Sequence, residues 1–211
     1  MAKLTRKQGY HHGDLRRALV SAAIPLLRKG GPEALTMRAL ARAAGVSPMA
    51  AYRHFADRAA LVAAVADDGF KRLHARLRAA AESPEQTLRK PQQTARGGLQ
   101  AIALAYVEFA LEHPDEYRVM FGSELAADPA IAPASRNEVF AFLREGIAML
   151  QRLKLVRAGD PQAMAYASWA LVHGLVMLAI DGQVRGKGAP STEELTLTAT
   201  ELLMFGMAEK P

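Results

Sequence analysis

The sequence predicts an all-α protein of about nine helices: a small N-terminal three-helix unit, then a larger helical domain. Three observations carry this. Apolar residues recur at helical spacing along nearly the whole chain, with no period-two run and no internal repeat. Half of the 211 residues are hydrophobic, enough to bury a substantial core. Helix start and stop signals punctuate the chain from end to end.

In order, Asp14 can cap a first helix whose residues Leu15, Leu19, Ala22, Ala23 and Leu26 fall on one face. Pro25 lies inside it, where it removes one backbone hydrogen bond and favours a kink. The run RKGG (28–31) ends it with basic residues and glycine. Thr36 caps a second helix through about Ala44, with Met37, Leu40 and Ala41 inward. Gly45 and Val46 make a turn into the stretch GVSPMAAYRHF (45–55), where Ser47 is an N-cap and Pro48 takes the first helical position. Asp57 then caps a longer helix running to about residue 81.

The polar stretch ESPEQTLRKPQQ (82–93) holds two prolines and reads as a connector. Helices follow at about 94–112, 115–121, 134–155, 161–182 and 192–208. Their stops are His113-Pro114, Gly122, Gly159 and the glycine-rich DGQVRGKGAP (181–190). Asp160-Pro161 and the capping box STEE (191–194) are strong starts. The expected organisation is a flexible basic arm (1–13), a first domain (14–60) with a connecting helix (57–81), and a second domain (82–211).

Charge is uneven. Residues 1–60 hold 11 Lys and Arg against 3 acids, a balance of +8, and the remainder carries −2. A basic N-terminal quarter suggests a polyanion-binding module joined to something with another task. The absence of cysteine removes disulfides, thiolate nucleophiles and Cys-based zinc sites. The polar start MAKLTRKQGYHHGD has no apolar run, so a secretory signal is not expected and a cytoplasmic protein is. No HExxH, G-x-S-x-G or phosphate-cradling glycine loop occurs. The adjacent His11 and His12 cannot easily share one metal, and Asp67-Asp68 and EHPDE (112–116) fit helix termini and solvated faces. No enzyme activity, cofactor or metal is expected.

Three helices with a tight turn before the third match a helix-turn-helix plan. A recognition helix must enter a major groove about 12 Å wide, so a stubby front of Met49, Ala50 and Ala51 suits close approach. Met49 can pack on a thymine methyl, Tyr52 and His54 can donate to phosphates, and Arg53 and Arg38 add charge. Val46 and Phe55 belong to the small domain's core. The arm brings Lys3, Arg6 and Lys7 to the backbone or minor groove.

The stretch LTMRALARAAGVSPMAAYRHFADRAALVAAV (35–65), with YHHGDLR at the front, resembles the DNA-binding domain of TetR-family transcriptional regulators. The resemblance implies a homodimeric regulator, expected to be a repressor, that binds a pseudo-palindromic double-stranded DNA operator and a small-molecule effector. It implies phosphate contacts from Thr36, Ser47, Tyr52 and His54, and base-edge positions for Pro48, Met49 and Ala50. Arg58 stands where the family usually has a lysine reaching a phosphate.

QAMAYASWALVHGLVMLAI (162–180) is apolar on nearly every side. It interrupts too soon, at His173 and Gly174, to read as a membrane span, so it is expected to be buried between its own subunit and a two-fold partner. Leu175, Leu178, Leu195, Leu202, Leu203 and Phe205 are the expected interface residues, with Gly174 permitting close helix packing. WALVHG and the preceding HPDEYRVMFGSEL (113–125) also resemble the Trp-His-Gly class of TetR C-terminal domains. Tyr106, Phe109, Met120, Phe121, Phe140, Leu143, Ile147, Trp169, His173 and Met177 are the candidate ligand-binding residues, suited to a hydrophobic or aromatic effector. A ligand-binding or protein-interaction module without DNA binding, and a helical enzyme, are the competing readings.

Overall fold

The computed structural model describes residues 12–82, 91–184, 186 and 188–207. Helices α1 (His12–Gly30), α2 (Met37–Ala43) and α3 (Pro48–Tyr52) form the N-terminal unit. Helix α4 (Arg58–Ala81) leaves it and joins α5 (Pro91–Glu112), α6 (Pro114–Met120), α7 (Ser123–Ala127), α8 (Ala134–Arg152), α9 (Pro161–Ile180) and α10 (Thr192–Met207). Two 3₁₀ turns, Pro32–Ala34 and Pro129–Ile131, complete the described residues, which contain no strand. Each of the nine predicted segments is helical, and α7 is a further short helix that the sequence reading lacked.

Local chemistry sets five of the helix starts. The side chains of Thr36, Ser47 and Asp57 accept from the N–H groups of Ala39, Ala50 and Ala60 at 3.1, 3.2 and 2.8 Å. Asp160 accepts from Gln162 and Ala163 N–H. Ser191 and Glu194 form the reciprocal capping box, with bonds of 2.7 and 3.1 Å. Several boundaries differ from expectation: α5 begins at Pro91, inside the expected connector 82–93, and two others have a clear local cause. Helix α1 begins at His12, so Asp14 lies inside it, and it continues through Pro25, an exposed position with no N–H to offer the carbonyl of the exposed Ser21 one turn earlier. Helix α8 stops at Arg152 rather than at about 155, because Lys154 takes a left-handed φ of 55° and Leu155 N–H returns to the Leu150 carbonyl.

Helix α4 is the common wall. Its buried stripe Leu61, Val65, Phe70, Leu73 and Leu77 packs against α1, α5, α6 and α8 in one continuous apolar cluster reaching from Leu19 to Val176. Arginines reinforce it: Arg76 pairs with Glu108 and Glu112 of α5, and Arg72 pairs with the buried Glu116 of α6 while lying over the Phe109 ring. A second, smaller cluster of Ile147, Leu150, Val156, Met164 and Ala165 joins α8 to α9.

By length and composition, α9 could cross a membrane. Here it is a bundle helix whose stripe Met164, Ser168, Val172 and Val176 is buried, while Tyr166, Leu171 and Leu178 remain exposed.

Gly69 sets the approach of α4 to α6. A Cβ there would stand 2.6 Å from the Met120 sulfur and 3.0 Å from a Glu116 oxygen, and Met120 is fully buried. Overpacking of this kind costs about 1–3 kcal/mol, against a helix-propensity gain of at most about 1 kcal/mol. Gly69→Ala is therefore expected to lower stability in urea unfolding, and Met120→Ala in the same chain to restore part of the loss.

Candidate functional site

The first candidate surface is the α2–turn–α3 unit. Gly45 makes the turn with φ of 68° and has no neighbour within 4 Å of a Cβ position, so backbone conformation alone calls for glycine. Thr36 and Ser47 are exposed, and capping engages only their oxygen lone pairs, so each hydroxyl proton stays available to an outside acceptor. Met49 is 66% exposed and Tyr52 48%, and Arg38, Pro48 and Arg53 are exposed beside them. Ala50 and His54 are half-buried.

Helix α3 ends at Tyr52, short of the expected 54, though His54 and Phe55 N–H both bond the Ala51 carbonyl. Ala51 is fully buried, so the close-approach role given to it is corrected: its methyl seats α3 on the core beside Phe55. Lys3, Arg6 and Lys7 lie outside the described residues.

Arg58 also requires correction. Instead of reaching outward to a phosphate, it turns into the protein. Its Nε donates to the Leu35 carbonyl and its Nη2 to the Pro32 carbonyl, both at 2.9 Å. Its Nη1 donates to the carboxylate of Glu124 on α7 at 2.6 Å. A planar guanidinium serves two carbonyls and a carboxylate at once, which a lysine ammonium on a flexible stem fits poorly. The site thus links the loop before α2, the start of α4 and α7.

The second candidate site is an apolar cavity of about 200 Å³ between the two core clusters. Tyr106, Phe121, Phe140, Leu143 and Trp169 of the predicted set line it. Phe109, Met120 and Ile147 are instead fully buried core, and Met177 packs against the core outside the cavity. Leu203, expected at a subunit interface, turns inward to the cavity. Sequence reasoning missed Phe70 and Leu77 of α4, and Arg136 and Asn137 at the start of α8. Only the helical phase of α4 could have signalled the first pair.

His173 does not line the cavity but ends a hydrogen-bonded chain behind it. Trp169 Nε1–H donates to the Tyr106 oxygen at 3.1 Å, the Tyr106 and Tyr117 hydroxyls lie 2.7 Å apart, and Tyr117 lies 2.5 Å from His173 Nδ1. The indole can only donate, so the Tyr106 oxygen accepts at one end, and at the other a neutral His173 accepts at Nδ1 from a tyrosine hydroxyl. Either tyrosine can donate to the other, since Tyr106 also lies 3.4 Å from Nδ1. Burial pushes Tyr106 up to about 12, raises Tyr117 and lowers His173. All three stay uncharged at neutral pH. Gly174, expected to permit close packing, faces open space within this chain.

The lowered His173 pKa has a stability consequence. Below its ordinary value of 6.5, the unfolded chain takes up a proton that the folded chain resists, so this contribution is full above that value and is lost as pH falls below it. The stability lost between about pH 7.5 and 5.5 is expected to be smaller in His173→Gln than in the unmodified chain, as read by urea unfolding at each pH.

Residues 19–65 match the family model described as bacterial regulatory proteins, tetR family, and residues 99–202 match the tetracyclin repressor-like C-terminal domain. Among solved structures, a protein of unknown function from Rhodococcus sp. RHA1 is 33% identical with a TM-score of 0.77, covering 96% of this chain and 100% of that one. A TetR-family transcriptional regulator from Pectobacterium atrosepticum, at 24% identity and TM-score 0.69, covers 95% and 97%. Another from Marinobacter aquaeolei VT8, at 17% and 0.67, covers 93% and 96%, and these two show the shared fold. With both its helix-turn-helix unit and its cavity-bearing helical domain matched in place, this chain belongs to the TetR family of DNA-binding transcriptional regulators.

Proposed function

We propose that the protein is a cytoplasmic, homodimeric repressor whose hold on a pseudo-palindromic operator is released by a small hydrophobic or aromatic effector. The observation that carries this is mechanical: α4 supplies Phe70 and Leu77 to the cavity wall, while its first residue holds the loop before α2. On this reading residues 14–60 bind DNA, residues 82–211 bind effector and partner, and 57–81 joins them. An effector acts only if it binds the DNA-competent and released states with different affinity.

At the operator, Met49, Pro48 and Ala50 meet base edges. Thr36, Ser47, Tyr52, His54 and Arg53 grip phosphates, with Arg38 and the arm residues adding charge. Two copies place their α3 helices about 34–36 Å apart in successive major grooves. Few long side chains face the bases, so DNA shape and half-site spacing carry much of the specificity.

The dimer reading rests on α9 and α10. Leu178, Leu202 (67% exposed) and Phe205 (84% exposed) lie in the open, Leu175 and Leu195 are half-buried, and Gly174 leaves room for a partner helix. Apolar surface on this scale is normally covered.

Arg53 and Arg58 separate the docking surface from the joint. With an operator fragment selected from genomic DNA, Arg53→Ala is expected to reduce the salt slope of binding by about 1. Arg58→Ala is expected to leave that slope unchanged and to lower Tm. Equal slope losses in both would place Arg58 on the DNA. For assembly, Leu178→Glu with Phe205→Glu is expected to yield helical monomers in analytical ultracentrifugation, with weakened operator binding.

A further inference from the structure

The cavity's hydrogen-bonding groups are distributed unevenly. On its inner wall every donor is already engaged within the protein. Ser168 Oγ–H bonds the Met164 carbonyl at 2.7 Å and Thr200 Oγ1–H bonds the Thr196 carbonyl at 2.8 Å, each within its own helix. Trp169 N–H serves Tyr106, and the Tyr106 hydroxyl is engaged with Tyr117 and His173. Toward a ligand this wall is hydrocarbon with a few oxygen lone pairs.

Three lining groups keep free donors, and all sit on the solvent side: the exposed Asn137 amide, the exposed Tyr166 hydroxyl and the half-buried Arg136 guanidinium. Arg136 is, among the described residues, the one cationic residue lining the cavity, and no carboxylate among them lines it. Among the described residues its side chain has no hydrogen-bond or ion-pair partner. The arginines of α4 are otherwise: Arg58, Arg72, Arg76 and Arg78 each hold a carboxylate. A guanidinium left unpaired at the edge of an apolar chamber is a fork without its anion. Arginine's planar donors match a carboxylate in bidentate fashion.

We propose that the cavity takes a small apolar monocarboxylate, held head-outward by Arg136 with Asn137 beside it, and its alkyl or aryl body against Phe70, Trp169 and Val172. This rests on the reading of the cavity as the effector site and specifies the chemistry of the effector. A polyanion is disfavoured because a single cation faces the chamber. A neutral hydrocarbon leaves the guanidinium unpaired.

Trp169 is the only tryptophan and stands in the wall, so its fluorescence reports occupancy directly. Octanoate and 1-octanol, and 4-phenylbutanoate and 4-phenylbutan-1-ol, form matched acid and alcohol pairs for titration at about pH 7.5, where the acids are ionised. The full chain is expected to bind the acids about tenfold or more tightly than their alcohols. Arg136→Met is expected to remove that preference and leave alcohol binding within about twofold, while Arg136→Lys retains part of it. Val172→Phe, which fills the chamber, is expected to weaken all four.

Equal binding of acid and alcohol by the unmodified chain would overturn the proposal, as would equal weakening of both by Arg136→Met. In either case Trp169 quenching sensitive to Val172→Phe would leave the effector site standing. No quenching by any of the four, or quenching indifferent to Val172→Phe, would overturn both readings.

Discussion

The structure depends on a single helix being buried from both ends. The stripe from Leu61 to Leu77 on α4 is core for α1 and for α5, α6 and α8 alike, with no polar break between them. A helix shared in this way cannot shift without repacking two interiors, and close-packed interiors resist small continuous adjustment. Gly69 tightens the constraint by bringing α6 closer than any side chain would permit. The arginines at positions 72 and 76 fix the helix's rotation, because each reaches a carboxylate on a different neighbour. From Arg58 to Phe70 and Leu77 the helix spans about 18–28 Å, so one rigid rod connects the loop before α2 with the chamber wall.

The polar chain behind that wall shows a different kind of order. Its four rings come from α5, α6 and α9, and a hydrogen bond joins each to the next. Buried networks satisfied in this way define a unique packing, because any slip of one helix strands a donor in a low dielectric. Glu116 is the exception. One of its oxygens meets Arg72, and the other is buried with no hydrogen-bond partner among the described residues. Loss of Arg72 would leave a whole charge uncompensated there.

What the sequence made legible was what neighbours along the chain decide. Thr36, Ser47, Asp57, Asp160 and the Ser191–Glu194 box all cap as their spacing predicts, since a cap needs only the next three residues. The same local logic gave the turn at Gly45 and the inward face of α2. What escaped depended on partners far away. Arg58 resembled an outward-facing charge because Glu124, 66 residues on, could not be foreseen as its mate. Ala51 and Ala50 are identical by type, and only packing assigns one to the core. Half the predicted ligand set lies outside the cavity, because large apolar side chains look alike whether they fill space or border it. Arg136 was overlooked for the converse reason: a charge on a mostly polar helix start reads as solvated until a chamber is seen beneath it.

The chamber's walls are of two kinds, and this has an evolutionary consequence. Phe70 and Leu77 belong to the shared helix, where any substitution disturbs the joint as well as the pocket. The side chains of Arg136, Asn137 and Met204 lie outside the large cluster that holds α4. Change on that rim alters what the chamber accepts and leaves the rod untouched. If the chamber is the effector site, as proposed, lineages descending from this chain can explore new chemical signals one rim residue at a time without rebuilding the shared helix.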